Sequence, residues 1–209
     1  MTMSKFLLGM SLASAVFGAH ASVSYNATGG MTSAQPVTAT VTFDSGLPGG
    51  FATYDNPAAV IAYPGNSGYA AEPPGDLTAF FSVGTTHGQP SSSSVTFGGY
   101  GVSYFGFFMG SPDNYNSVDL YAGATHLATI TGAQMAAAAT VSPDGNQGVG
   151  FYMNIFSSTA ITKVTFSSTQ DAFESDNHSY IAAVPEPETY AMLLAGLGLV
   201  AAVARRRKA

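Results

Sequence analysis

Val37-Thr38-Ala39-Thr40-Val41-Thr42-Phe43 alternates an apolar residue with a threonine at every step. A period of two places Val37, Ala39, Val41 and Phe43 on one face of an extended segment and the three threonines on the other. Valine and threonine are β-branched and suit a pleated, half-buried surface. Related patterns recur along the chain. Val102 to Met109 (Val-Ser-Tyr-Phe-Gly-Phe-Phe-Met) is apolar on both faces, as a central strand would be, and Gly106 within it predicts the close approach of another backbone or ring. Ser117 to Tyr121 alternates again, with Val118 and Leu120 inward and Asp119 and Tyr121 outward, and Gly123-Ala124 turns into His126 to Ile130. Val149 to Phe156 and Ile161 to Phe166 read as two strands around a Ser157-Ser158 turn. Phe97-Gly98-Gly99-Tyr100 reads as a hairpin, Ser91 to Ser94 as a flexible connection, and Ser179 to Ala183 as the final strand. Gln134 to Ala139 is the plausible short helix. Pro143-Asp144-Gly145-Asn146 is a strong turn, and Asp44 to Pro74 is mostly loop with a short strand at Val60 to Tyr63. The expected fold is all-β: an antiparallel β-sandwich of jelly-roll type over residues 22–183.

That stretch is long enough for one domain with a real core. The chain has no cysteine, so packing alone must hold it. Lys163 is the only lysine or arginine between residues 22 and 183, against ten acidic residues. The domain therefore carries −9, more than the −6 of the whole chain. Such a surface repels phosphate backbones and excludes nucleic acid as a partner, while tolerating divalent cations.

The two ends read differently from the middle. Lys5 precedes the apolar run Phe6 to Phe17, and Ala19-His20-Ala21 supplies the small residues that a signal peptidase reads. A signal peptide over residues 1–21, cleaved after Ala21, is expected. At the other end, residues 184–209 hold Val184-Pro185-Glu186-Pro187-Glu188, an uncharged stretch to Ala204, and Arg205-Arg206-Arg207-Lys208. The prolines keep the first segment extended. The apolar stretch reads as a transmembrane helix of roughly 23 Å, and the basic cluster as its cytoplasmic stop. This order of motif, helix and basic end resembles the PEP-CTERM sorting signal, with Val184 to Pro187 matching its Val-Pro-Glu-Pro core. The resemblance implies a Gram-negative, exopolysaccharide-producing bacterium, and an inner-membrane-anchored precursor that a membrane-embedded exosortase cleaves near the motif. It further implies final residence at the cell surface or in an extracellular biofilm matrix.

Tyr104-Phe105-Gly106-Phe107-Phe108-Met109-Gly110-Ser111-Pro112-Asp113-Asn114-Tyr115-Asn116 and Phe173-Glu174-Ser175-Asp176-Asn177 resemble two segments of a family of exosortase-dependent surface proteins with a β-sandwich domain. That family more often has Trp where Met109 stands. It carries no established enzymatic activity, so the resemblance supplies no catalytic residues.

The same segments hold the polar clusters that bear on chemistry. Asp113, Asn116, Asp119, Glu174 and Asp176 offer the hard oxygen ligands that Ca²⁺ needs, or else close Asx-turns. Tyr115 and Tyr121 are candidates to stack on sugar rings, since tyrosines on loops or polar faces present an apolar body with a polar tip. A lectin-like module would bring these acids together beside one of those tyrosines and bind exopolysaccharide. His87, His126 and His178 would be needed by a secreted hydrolase, the less favoured alternative. No Gly-x-Ser-x-Gly or His-Glu-x-x-His motif accompanies them. A non-enzymatic exported protein is the expectation.

Overall fold

The computed structural model describes residues 21–66, 68–184 and 187–206. The apolar run at 6–17, and Ala19 with it, lie outside the described residues; Ala21 is exposed.

Among the described residues twelve strands form two antiparallel sheets: β1 (Val23–Thr28), β2 (Ala39–Val41), β3 (Ala52–Tyr54), β4 (Val60–Ile61), β5 (Phe80–Val83), β6 (Ser92–Phe97), β7 (Val102–Gly110), β8 (Asn116–Ala122), β9 (Thr125–Thr131), β10 (Gly150–Ile161), β11 (Lys163–Ser168) and β12 (Phe173–Ala182). One sheet runs β1-β10-β7-β12-β5-β4 with β2 also on β12; the other runs β3-β6-β11-β8-β9. The last eight strands pair in a nested order: β5 with β12, β6 with β11, β7 with β10 and β8 with β9. This is a long double strand rolled on itself, the jelly-roll topology that the turn spacing predicts. The first four strands extend its margins.

The roll explains where local reading failed. Phe97 to Tyr100 is not a hairpin, because β6 and β7 belong to different sheets. It is a corner, closed by the Gly101 amide on the Gly98 carbonyl, with Gly99 and Gly101 at positive φ. Ser91 to Ser94 is no flexible link: β6 begins at Ser92, and the Asp55 carboxylate accepts from the Ser93 hydroxyl and the Ser94 amide. Ser157-Ser158 makes no turn either. It lies inside β10, whose pairing slips between Phe156 and Ile161, and the sheet change comes at Thr162. Val37 to Phe43 keeps its alternation, with each threonine exposed and Phe43 buried, although the ladder covers only Ala39 to Val41. The helix forms as α1 (Gly132–Ala139), opened by a Thr131–Gln134 capping box.

The space between the sheets holds the aromatic core. Phe105, Phe107 and Met109 of β7 point into it with Phe81, Val118, Leu120, Phe151, Met153, Phe166 and Phe173. Met109 is fully buried there, so its exchange with Trp concerns packing and not a sugar surface. Tyr104, Phe108, Tyr152 and Asn154 are buried on the opposite face of the same strands. Pro73 and Pro74 lie against that face, over Gly110 and Gly150. β7 is thus covered on both sides.

β12 carries the feature that shapes the site. Phe173 and Ser175 face the core and Glu174 and Asp176 face away. Asn177, at φ +50, then breaks the alternation, and His178 and Tyr180 face the core in turn.

Candidate functional site

Four segments converge on the outer side of the seven-stranded sheet: the loop around Tyr69, Ser111 to Tyr115 after β7, the Asp144-Gly145 turn, and Asp171 to Glu174 entering β12. They enclose a cleft of about 330 Å³. Its walls carry Asp113, Asp144, Asp171 and Glu174, and no lysine, arginine or histidine lines it among the described residues.

Each acid is held differently. Asp113 and Asp144 face each other across a β-bridge, and the Gly145 amide donates to the Pro112 carbonyl (2.9 Å). A Cβ on Gly132 would overlap the Asp113 carbonyl, so α1 packs directly on this loop. Burial raises the Asp113 pKa and nearby Asp144 adds to the rise, opposed by the nearby Tyr115 hydroxyl. Burial also raises Asp171, but the hydroxyls and amides of Thr86 and Thr85 that donate to it win, and its pKa is lowered. Glu174 is 3 % exposed. Its Oε1 accepts from the Ala71 amide (3.0 Å), whereas Oε2 has no partner among the described residues. Burial, with Asp113 and Asp171 nearby, pushes Glu174 up to about 8. The Ser111 hydroxyl, also on the cleft wall and 4 % exposed, is likewise without a partner there. Tyr115 donates its hydroxyl to the Asp171 carbonyl (2.8 Å) and is among the residues lining the cleft. Tyr69 stacks one face on His87 at 4.0 Å.

Of the residues that the sequence offers as ligands, Asp113, Glu174 and Tyr115 meet here. Asn116 is behind the wall, donating to the Ala172 carbonyl and accepting from the Ser168 hydroxyl (2.7 Å). Asp176 is buried beside Asp76, outside the cleft; burial, with Asp76 and Asp44 nearby, pushes it up to about 8. Asp119 and Tyr121 are on the solvent face of the five-stranded sheet. There Asp119 pairs with His126 (3.1 Å), and the Lys163 ammonium sits 4.2 Å from the Tyr121 ring centre. The five oxygen donors expected for Ca²⁺ therefore do not gather at one point, and no three His, Asp or Glu among the described residues form a group that could hold a metal ion. Asp144, Asp171 and Ser111 were not singled out by the sequence; the Pro143–Asn146 turn signal was the available pointer to the first.

The histidines are scattered. His87 is on the loop between β5 and β6, stacked on Tyr69, and His126 is on the outer sheet face. His178 is wholly buried, with Nδ1 on the Tyr54 hydroxyl and Nε2 on the Ser175 hydroxyl, both at 2.9 Å. It stacks on Phe166 at 4.8 Å, and burial depresses its pKa to about 3. A serine–histidine pair is present, then, but sealed in the core, with a tyrosine where a triad would hold an acid.

Beyond β12 the chain leaves the domain. Val184 is 78 % exposed, Pro185 and Glu186 lie outside the described residues, and α2 (Pro187–Arg206) follows. Arg205 and Arg206 close its last turn; Arg207 and Lys208 are outside the described residues. Met192, Leu193, Leu197 and Leu199 are all more than half exposed. Even so, among the described residues no helix is long and apolar enough to cross a membrane, so the transmembrane helix expected from the apolar run and its basic end is not shown.

A jelly-roll domain with an acid-lined cleft and a separate apolar, basic-ended tail is the class these features define. Residues 183–208 match the model of the PEP-CTERM protein-sorting motif. That motif marks an exported protein whose membrane-anchored precursor is processed by an exosortase. No curated protein and no solved structure matches the chain.

Proposed function

We propose that this chain is a non-enzymatic exported protein of a Gram-negative bacterium, displayed at the cell surface or in the exopolysaccharide matrix after an exosortase removes its tail. The observation that carries this reading is the position of the sorting motif: it begins at residue 183, one residue after β12 ends at Ala182. Cleavage there severs no strand and opens no core. Before cleavage, the exposed apolar side chains of α2 and its basic end supply the membrane-facing surface, with signal peptidase acting at Ala21. The domain that remains is a rigid acidic body. The scattered histidines supply the support for a non-catalytic role.

Replacing Pro185, Glu186 and Pro187 together by alanine is expected to leave folding and export intact, because these residues lie beyond the last strand. The variant should retain the segment from Tyr190 to Lys208 and fractionate with the inner membrane, while the native protein loses it. Mass spectrometry of the mature C-terminus decides. Native protein still carrying Arg205 to Ala209 would make the tail a permanent anchor and end this reading.

A second reading, a carbohydrate-binding module, is favoured by the cleft itself, where a tyrosine ring and unpartnered buried oxygens share one wall. Ca²⁺ as a cofactor of that module is kept as a separate arm of its test.

A further inference from the structure

Buried polar atoms normally find partners, and a carboxylate oxygen left without one is costly. Glu174 Oε2 and Ser111 Oγ break that rule on the wall of a single cleft. Asp76, 3 % exposed and hydrogen-bonded to the Asp176 carboxyl, is on the wall of an adjoining cavity of about 390 Å³. The two cavities share Gln147 on their walls, so they form neighbouring sites.

The character of the walls selects the ligand. An ionised carboxylate only accepts hydrogen bonds, and Glu174, which burial otherwise holds neutral, ionises only against a bound cation, so the occupant must bring donors. Asp144 acts on Asp113 as a like charge, Asp113 and Asp171 act so on Glu174, and among the described residues no lysine, arginine or histidine lines the cleft to offset them. The occupant must therefore also bring positive charge. A bare divalent cation needs six to eight oxygens converging at about 2.3–2.6 Å. Here the acids are spread along walls and no three form such a group. A cavity of about 330 Å³ is instead in the range of small-molecule sites. Tyr115 adds a ring at the wall, the kind of surface on which an apolar sugar face rests.

We propose that the cleft between Asp113, Asp144 and Glu174 binds the protonated amine of an amino-sugar unit in a polysaccharide, with the Asp76 cavity receiving the neighbouring unit. The inference rests on the carbohydrate-binding reading and is independent of how the tail is processed.

Calorimetric titration of the full chain in detergent tests it, using glucosamine oligomers, their N-acetylated counterparts, neutral glucose oligomers and CaCl₂ alone. Glucosamine oligomers should bind at least about tenfold more tightly than either of the other sugars, a difference of about 1.4 kcal/mol. Glu174→Gln and Asp144→Asn should each abolish most of that preference. The first preserves the shape of a side chain that burial already favours in its neutral form, and the second lies on an exposed turn, so both should fold. Asp119→Asn removes the same charge from the outer sheet face and should change nothing. Equal binding of acetylated and free amines would overturn the proposal. So would equal losses in all three variants, which would signal diffuse attraction to an acidic protein. Saturable Ca²⁺ binding lost in Glu174→Gln would assign the cleft to a metal instead.

Discussion

Raising the pH from 6.5 to 8.5 is expected to destabilise this domain steeply. Glu174 and Asp176 are both buried, and their pKa values rise from 4.5 and 3.8 to about 8 on folding. A carboxyl with a raised folded-state pKa holds its proton more tightly in the native chain than in the unfolded one. Stability is then fully present below the unfolded value and is lost as the pH climbs through the folded one. His178 acts in the opposite sense: its pKa falls from 6.5 to about 3, so its contribution is present above 6.5 and is lost on acidification. Between about 4.5 and 6.5 its slope cancels one of the two carboxyl slopes. Above 6.5 the two carboxyls act together, with a limiting slope of about 2.7 kcal/mol per pH unit. Chemical denaturation across pH 4 to 9 should show a maximum near pH 4–5 and a falling limb towards pH 8. Glu174→Gln should remove about half of that limb and be the more stable protein at pH 8. A flat or rising profile between 6.5 and 8.5 would show that the two carboxyls are not held neutral by the fold.

The sequence made the strand interiors legible and the corners illegible, for a physical reason. Alternation reports which face of a strand is buried, and Val37 to Phe43, Val118 and Leu120 behaved as alternation requires. A turn signal reports only that the chain bends. Phe97-Gly98-Gly99-Tyr100 bends just as a hairpin would, but its two strands enter different sheets, and that depends on partners remote in sequence. β1 went unread although Val23, Tyr25 and Ala27 alternate with more exposed neighbours, and β5 went unread too, since four buried residues carry no period.

The site was half legible for a similar reason. Asp113, Tyr115 and Glu174 were visible as dense polar segments beside aromatic strands. Their separation from Asp119 and Tyr121 followed from strand parity, since those two alternate outward from Val118 and Leu120. The separation of Glu174 from His178 was beyond reach, because it depends on a single residue, Asn177, adopting positive φ and reversing the parity of β12. Asp144 and Asp171 were hidden because each enters from a loop brought in by the roll.

Gly106→Ala is expected to be the most damaging single-methyl change in the domain's central sheet. Gly106 sits in the middle of β7, between β10 and β12, opposite Asn154 and Ser179. An added Cβ would fall within the contact radius of the Tyr104 hydroxyl, 2.7 Å from the Tyr152 ring and 2.9 Å from the Met153 carbonyl. The carbonyl belongs to the paired strand and cannot yield without breaking the ladder. The two tyrosines are not loose ends either. Tyr104 donates to Asn154 (2.8 Å) and meets the Ser33 hydroxyl (2.7 Å), Asn154 donates to Asn26 and Thr28 on β1, and Tyr152 donates to the Asn177 carbonyl. Relieving the clash therefore breaks hydrogen bonds worth about 1 kcal/mol each, on top of about 1–3 kcal/mol for overpacking. A total near 3 kcal/mol corresponds to a fall in Tm of about 6–12 °C for a domain of this size. Gly49→Ala is the matched control: that glycine has nothing within 4 Å of its Cβ position, and a Tm within about 1 °C of the native value is expected. If Gly106→Ala melts with the control, Tyr104 of β7 and Tyr152 of β10 are not held over Gly106 by their hydrogen bonds.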